Sequence, residues 1–144
     1  METLTTIPAA VAALIPAVQL SITKENIQEF TGAIRRLETS LNNCPNMGET
    51  DGMKEHPAIF HYFYSSTDIY ICEYDRKDYM FGYAILSGDL QNSEWGFFDL
   101  NDLTSIPEYN IDYHFTEQSI EAALYSAYPS YFKKYSSFVK TPSA

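Results

Sequence analysis

Histidine and cysteine are the residue types best suited to nucleophilic or metal chemistry, and this chain has few of either. Its histidines are His56, His61 and His114, and they form no HExxH pair. Cys44 and Cys72 lack the CxxC spacing that is typical of zinc sites. Because His61 and Cys72 fall in strands expected to pair, a Cys/His dyad is one alternative. A strand histidine beside a small buried thiol is the simpler interpretation.

No GxSxG, P-loop or GxGxxG motif occurs in the chain. The aspartates of the Asp75/Asp78 turn lack the EF-hand pattern, which argues against a calcium site. The sequence therefore predicts no catalytic residue, no metal and no cofactor.

Carboxylates are abundant near the ends of the predicted strands, where acids are usually just solvated. Paired acids can act as acid and base on a sugar, and Trp95 with neighbouring tyrosines would supply a stacking platform. A small-ligand, carbohydrate-binding or hydrolytic domain, with His61 or a carboxylate pair as its working groups, is therefore an alternative function.

The charge distribution favours another class. The chain of 144 residues has 19 acids against 9 lysines and arginines, a net charge of −10. Residues 44–121 contain 15 of those acids and only 3 of the bases. Such a surface would be repelled by nucleic acids and by anionic membranes. We therefore expect no direct nucleic-acid or membrane binding, and with two cysteines and no export signature we expect a cytoplasmic protein.

The N-terminal part, residues 1–56, is predicted to be helical and then to become a loop. Residues 7–17 are apolar and predict a short helix between Pro8 and Pro16. Thr23 is the predicted N-cap of the next helix. The apolar residues of that helix recur at helical spacing: Ile27, Phe30, Ile34, Leu37 and Leu41. Residues 42–56 are polar, contain proline and glycines, and predict a loop.

Residues 57–116 alternate between short apolar runs and turns, which is typical of an antiparallel sheet. Strands are expected at 59–64, 69–74, 79–86, 94–100 and 111–115. Gly82 inside the third strand indicates a bulge or a close backbone approach. Thr116 is the predicted cap of a C-terminal helix within residues 117–144. The order predicts one α+β domain, residues 1–144, with a sheet of about five antiparallel strands and the N-terminal and C-terminal helices packed on one face.

Three short motifs fall in and just after the predicted strands: Phe81-Gly82, Glu94-Trp95-Gly96, and Phe98 with Leu100 and Leu103. In these motifs the chain resembles a family of uncharacterised bacterial and mobile-element domains. The pattern covers about a third of the chain, and Trp95 stands where that family has a small aliphatic residue. The resemblance implies no catalytic residues. More loosely, the small size and negative charge are similar to phage-encoded anti-CRISPR proteins, an analogy that carries no site residues.

Charge and aromatic content together predict a non-enzymatic, DNA-mimicking inhibitor that binds a basic protein surface, such as the groove of a Cas9-type nuclease. Carboxylates would replace the phosphates for which the lysines and arginines of such a groove are arranged. The predicted partner-binding residues are Asp75, Asp78, Asp89, Glu94, Asp99 and Asp102, with Tyr74, Tyr79 and Trp95 for apolar contact. A structural adaptor that oligomerises through its apolar N-terminal helix or its tyrosines is a further alternative.

Overall fold

The computed structural model describes residues 3–139, with helices on both sides of a central run of strands. The helices are α1 (Ala9–Ala12), α2 (Ala17–Glu25), α3 (Ile27–Asn43), α4 (Leu100–Ser105) and α5 (Ile120–Ala127). The strands are β1 (Pro57–Ala58), β2 (Phe60–Tyr64), β3 (Thr67–Tyr74), β4 (Tyr79–Ile85), β5 (Glu94–Asp99), β6 (Asn110–Ile111) and β7 (Gln118–Ser119). A 3₁₀ helix, Lys133–Phe138, follows α5. Residues 1–2 and 140–144 of the predicted domain lie outside the described residues.

The five-stranded antiparallel sheet has the order β5-β4-β3-β2-β6, and β1 pairs separately with β7. The α+β fold with a five-stranded antiparallel sheet is therefore confirmed. The fifth strand is shorter than predicted, because only Asn110 and Ile111 pair with β2. The Asp112 carboxylate then accepts the His114 N–H at 2.8 Å and turns the chain away.

Both proline predictions at the N-terminus hold, but the next helix begins elsewhere. Pro16 follows α1 and is also the N-cap of α2, where a missing N–H costs nothing. Thr23 is not a cap, because it lies inside α2, buried, and its hydroxyl donates to the Gln19 carbonyl at 2.8 Å. Asn26, with a non-helical backbone, separates α2 from α3.

Gly82 marks the predicted close approach. A Cβ atom built there would lie 1.8 Å from the Tyr70 carbonyl oxygen of β3. The register between β3 and β4 shifts between Ile71 and Glu73, so Cys72 is the extra residue of a bulge. Glycine is required because only a hydrogen fits against that carbonyl.

The helices lie on both faces of the sheet, and the prediction that they share one face is wrong. Ile69 and Ile71 of β3 pack in one cluster with α1 and α3. Tyr70 and Cys72, which alternate with them, pack in a second cluster with α5. β3 is apolar on both sides, so each of its faces needs a covering helix.

Side chains cap both helices of the C-terminal half, and one of these caps differs from the prediction. Asp99 is the cap of α4, accepting the Asn101 N–H at 2.9 Å. Ser119, and not Thr116, caps α5 by accepting the Ala122 N–H at 3.0 Å. Residues 118–119 first pair with β1, which delays the start of the helix. Within residues 3–139, no helix is both long enough and apolar enough to span a membrane.

Candidate functional site

His61 on β2 is clamped between two carboxylates. Its Nε2 lies 2.7 Å from Asp68 Oδ1, and its Nδ1 lies 3.2 Å from Asp112 Oδ2. The ring stacks on Tyr70, with centroids 4.7 Å apart and planes 9° from parallel. Both ring nitrogens are therefore occupied, and His61 joins β2 to β3 and to the turn after β6.

The Cys/His dyad does not form. The Cys72 thiol donates to the Phe81 carbonyl at 3.5 Å and lies 3.7 Å from the Thr50 hydroxyl. Burial raises the pKa of Cys72 to about 12, so the thiol stays protonated near neutral pH. Burial likewise raises the pKa of Cys44 to about 12. Neither cysteine has the thiolate character of a nucleophile.

Two carboxylates outside the predicted set, Glu73 and Glu121, are each only 2% exposed. Glu73 accepts the backbone N–H groups of Gly48 at 2.8 Å and Thr50 at 3.0 Å, and also the Thr50 hydroxyl. Glu121 accepts the His56 N–H at 2.7 Å and lies 2.7 Å from its Nδ1. These acids fasten the loop before the sheet, so their role is structural. Nothing in the sequence distinguished them from exposed acids.

The predicted partner-binding acids separate into two groups. Tyr79 pairs with Asp99 and Ala84 pairs with Glu94, so Asp99 and Glu94 lie at opposite ends of β5. Five strand steps separate them, roughly 17 Å. Asp99 shares its end of the sheet with three of the others: Asp75, Asp78 and Asp102. Asp89 lies at the Glu94 end, in the connection between β4 and β5. The six predicted acids therefore do not form one contiguous field.

Several of these acids also hold local structure. One oxygen of Asp75 accepts the N–H groups of residues 77, 78 and 79 at 2.7 to 3.1 Å. Desolvation raises the pKa of Asp75, but these hydrogen bonds lower it by more, and the net pKa lies below its usual value. Hydrogen bonds from the Asn92 side chain and backbone lower the pKa of Asp89. Both side chains are therefore ionised turn-formers.

The acidic side chains lack basic partners within the described part of the chain. Between residues of the range 3–139 the ion pairs all join a histidine to a carboxylate, and none of the predicted partner-binding acids has a lysine or arginine nitrogen of that range within 4.0 Å. Arg76, although it lies in the acidic β3–β4 turn, donates to the carbonyls of Leu41 at 3.0 Å and Cys44 at 2.6 Å. It caps the end of α3 in this way and leaves Asp78 without an ion-pair partner.

The three aromatic residues predicted to contact a partner differ in how exposed they are. Tyr79 is 51% exposed, as a contact residue should be. Trp95 is half-buried between His56 and Phe81, with ring centroids 4.4 Å and 5.8 Å away. Tyr74 is only 4% exposed, so its proposed surface role is wrong and it belongs to the core.

Phe97, which was not predicted, is the most exposed large apolar residue of residues 3–139, at 72%. It lies opposite Phe81 on β4, with ring centroids 5.0 Å apart. Beside it is a groove of about 290 Å³ lined by Met47, Gly48, Asp51, Glu73, Phe81 and Phe97. We name Asp78, Asp99, Asp102, Tyr79 and Phe97 the acidic–aromatic surface.

The acids of this groove do not form a pair suited to acid–base chemistry, because both Glu73 oxygens are taken by loop donors. No cluster of three or more metal-ligating side chains occurs among residues 3–139. No family model, curated protein or solved structure matches this chain. The site's own chemistry must therefore support any functional assignment.

Proposed function

We propose that this domain is a cytoplasmic, non-enzymatic inhibitor that binds the basic groove of a nucleic-acid-binding enzyme, in the manner of an anti-CRISPR protein on a Cas9-type nuclease. The acidic–aromatic surface is the contact. The supporting observation is that exposed acids at this end of the sheet have no lysine or arginine partner within ion-pair distance among the described residues.

Charge and shape suit such a partner. Asp78 and Asp102 are exposed, and the Asp78 carbonyl accepts the Leu100 N–H at 2.8 Å, which ties the turn to the start of α4. The carboxylates are thus carried on connected backbone, and partner cations would meet a preorganised set of acceptors. The exposed ring of Tyr79 at this end of the sheet, and that of Phe97 two residues before Asp99 on β5, add apolar contact.

The opposite charges of the two partners predict how their binding depends on salt. A nuclease groove presents lysines and arginines that otherwise neutralise phosphates. Attraction between exposed charges fades beyond about 10 Å at 0.1 M salt, so the complex should weaken as salt rises. The same negative charge repels nucleic acid, so inhibition by binding the nucleic-acid substrate in place of the enzyme is disfavoured.

A test compares two charge-matched variants. The site variant combines Asp78→Asn, Asp99→Asn and Asp102→Asn, and asparagine at 99 retains the helix cap. The control combines Glu25→Gln, Glu29→Gln and Glu38→Gln, on the N-terminal helices. Tagged proteins capture partners from a bacterial lysate, and captured proteins are identified by mass spectrometry and titrated against each variant.

We expect the wild type to capture basic nucleic-acid-binding proteins. The site variant should bind them about tenfold more weakly than the wild type, because it loses three exposed charge contacts of roughly 0.5 kcal/mol each. The control should bind like the wild type. Equal weakening of both variants would mean that only net charge matters, and unchanged binding by the site variant would refute the proposed surface.

A further inference from the structure

The two edges of the sheet are treated differently. At the β6 edge, the Gln19 side-chain amide donates to the Ile111 carbonyl at 2.9 Å and accepts the Ile111 N–H at 2.8 Å. That edge is therefore covered by α2. β5, the opposite edge, is six residues long and pairs with β4 alone.

The outward side of β5 has free backbone groups. In an antiparallel pair, residues that bond to the partner strand alternate with residues that point away. The Leu100 N–H donates to the Asp78 carbonyl, so residues 98, 96 and 94 bond to β4, whereas Phe97 and Trp95 point outward. No hydrogen bond from elsewhere in residues 3–139 reaches the N–H or C=O groups of these two residues.

β5 also lacks the usual protection of an edge strand. Its sequence, EWGFFD, contains no lysine and no proline, and its register with β4 has no bulge. Phe97 is exposed at its middle and borders the groove that reaches Phe81 and Met47. An added strand would find hydrogen-bonding groups along its backbone and a groove for one apolar side chain.

Charge identifies the occupant. Glu94 and Asp99 flank β5, and Asp51 lines the groove. An antiparallel β5–β5 pair with a second copy of this chain would bring two sets of these acids to one seam, between molecules that each carry a charge of −10. Lysine or arginine side chains of a partner strand would instead be attracted to the acids of β5.

We propose that β5 accepts an extended basic segment of the partner as a sixth strand, in which lysines or arginines alternate with apolar residues. This inference rests on the proposed function and specifies its binding mode. The apolar side chains occupy the groove beside Phe97, and the basic ones lie on the other face of the sheet, where Glu94 projects.

The test uses a blocked peptide of about nine residues that alternates lysine with valine, and the same peptide N-methylated at its central residues. The two have equal charge, but the second cannot form strand hydrogen bonds. Because the Phe97 N–H points outward, F97P removes it without breaking the β4–β5 ladder, and F97A removes the side chain alone. Circular dichroism checks the fold of each variant.

We expect the unmethylated peptide to bind about tenfold more tightly, as for two hydrogen bonds of roughly 0.7 kcal/mol each. F97P should abolish this preference while F97A retains most of it, and the Trp95 and Phe97 amides should become protected from hydrogen exchange.

Equal binding of both peptides would overturn strand addition but leave the charge-based function standing. If neither peptide binds, strand addition is also overturned. Failure of the proposed function would show separately, as partner capture that is the same for the site variant and the wild type. A dimer in sedimentation velocity that F97P dissociates would assign the edge to a second copy and overturn the inference.

Discussion

Thr50 donates to Glu73 twice, through its backbone N–H at 3.0 Å and through its hydroxyl. Gly48 adds a third hydrogen bond to the other oxygen at 2.8 Å. The contact fastens the loop after α3 to the bulged strand β3, and the same loop forms one wall of the groove beside Phe97. The shape of the groove therefore depends on a single buried carboxylate.

Replacing that carboxylate should destabilise the fold. In Glu73→Gln an amide NH₂, which cannot accept a hydrogen bond, replaces one of the two oxygens on which three donors converge. We expect the free energy of unfolding to fall by about 2–3 kcal/mol at neutral pH. Urea unfolding measures it, with the exposed Glu117→Gln as control. A variant as stable as the wild type would contradict the anchoring role.

The loss should depend on pH. Burial raises the pKa of Glu73, but its three hydrogen bonds lower it by more, so the folded-state pKa lies below the usual 4.5. A depressed carboxyl pKa contributes stability that is present above the unfolded-state value and is lost as pH falls through the folded value. The difference in unfolding free energy between wild type and Glu73→Gln should therefore shrink below about pH 4.5. A difference that grows with acid would contradict this assignment.

Gly82 and Gly96 face each other across β4 and β5, but only one has room for a methyl group. Gly82→Ala places Cβ against the Tyr70 carbonyl, and we expect a loss of about 3 kcal/mol or more in unfolding free energy. Gly96 has no atom within 4 Å of the added Cβ, so Gly96→Ala should change stability by less than about 1 kcal/mol. Thermal unfolding of both variants measures the difference, and equal effects would show that the close approach is absent.

The cysteines should be inert in the folded protein. Burial raises the pKa of both thiols to about 12, so a disulfide reagent near pH 8 should label neither within minutes. Labelling in guanidinium chloride supplies the control, with two thiols per chain. Rapid labelling of Cys72 in the native state would instead indicate an activated thiol.

Asp99 has two roles that substitution can separate. Asp99→Asn keeps a side-chain oxygen for the Asn101 N–H, so stability should stay within about 0.5 kcal/mol, whereas Asp99→Ala should cost about 1 kcal/mol. Both substitutions remove the charge of residue 99, so both should weaken the binding of the basic partner to the same extent. Denaturant unfolding and calorimetric titration test the two effects. If the asparagine variant binds like the wild type, this charge is not part of the contact.

Local patterns predicted much of this fold. The alternation in 69–74 and the apolar spacing of 27–41 depend on neighbours along the chain, and the glycine at 82 depends on the adjacent strand of the same hairpin. Thr23 failed as a cap because α2 extends through it, and Tyr74 failed as a surface residue because both faces of β3 are covered.

The candidate site was harder to predict, because sheet order decides it. Whether Phe97 is a core residue or an exposed one depends on β5 being the edge strand, and hairpin signals do not determine that. The division of the acids into two groups likewise follows from the antiparallel pairing of β4 with β5, which places Asp99 and Glu94 at opposite ends.

Trp95, the only tryptophan, lies on β5 and can report on the proposed contact directly. Incorporating 5-fluorotryptophan gives one ¹⁹F resonance that tryptophans of a partner cannot obscure. On adding a captured basic partner at about 0.05 M salt, the resonance should shift or broaden, and it should return to its free position at about 0.5 M salt. A partner that binds in sedimentation while this resonance stays unchanged at both salt concentrations would show that the contact lies elsewhere on the molecule.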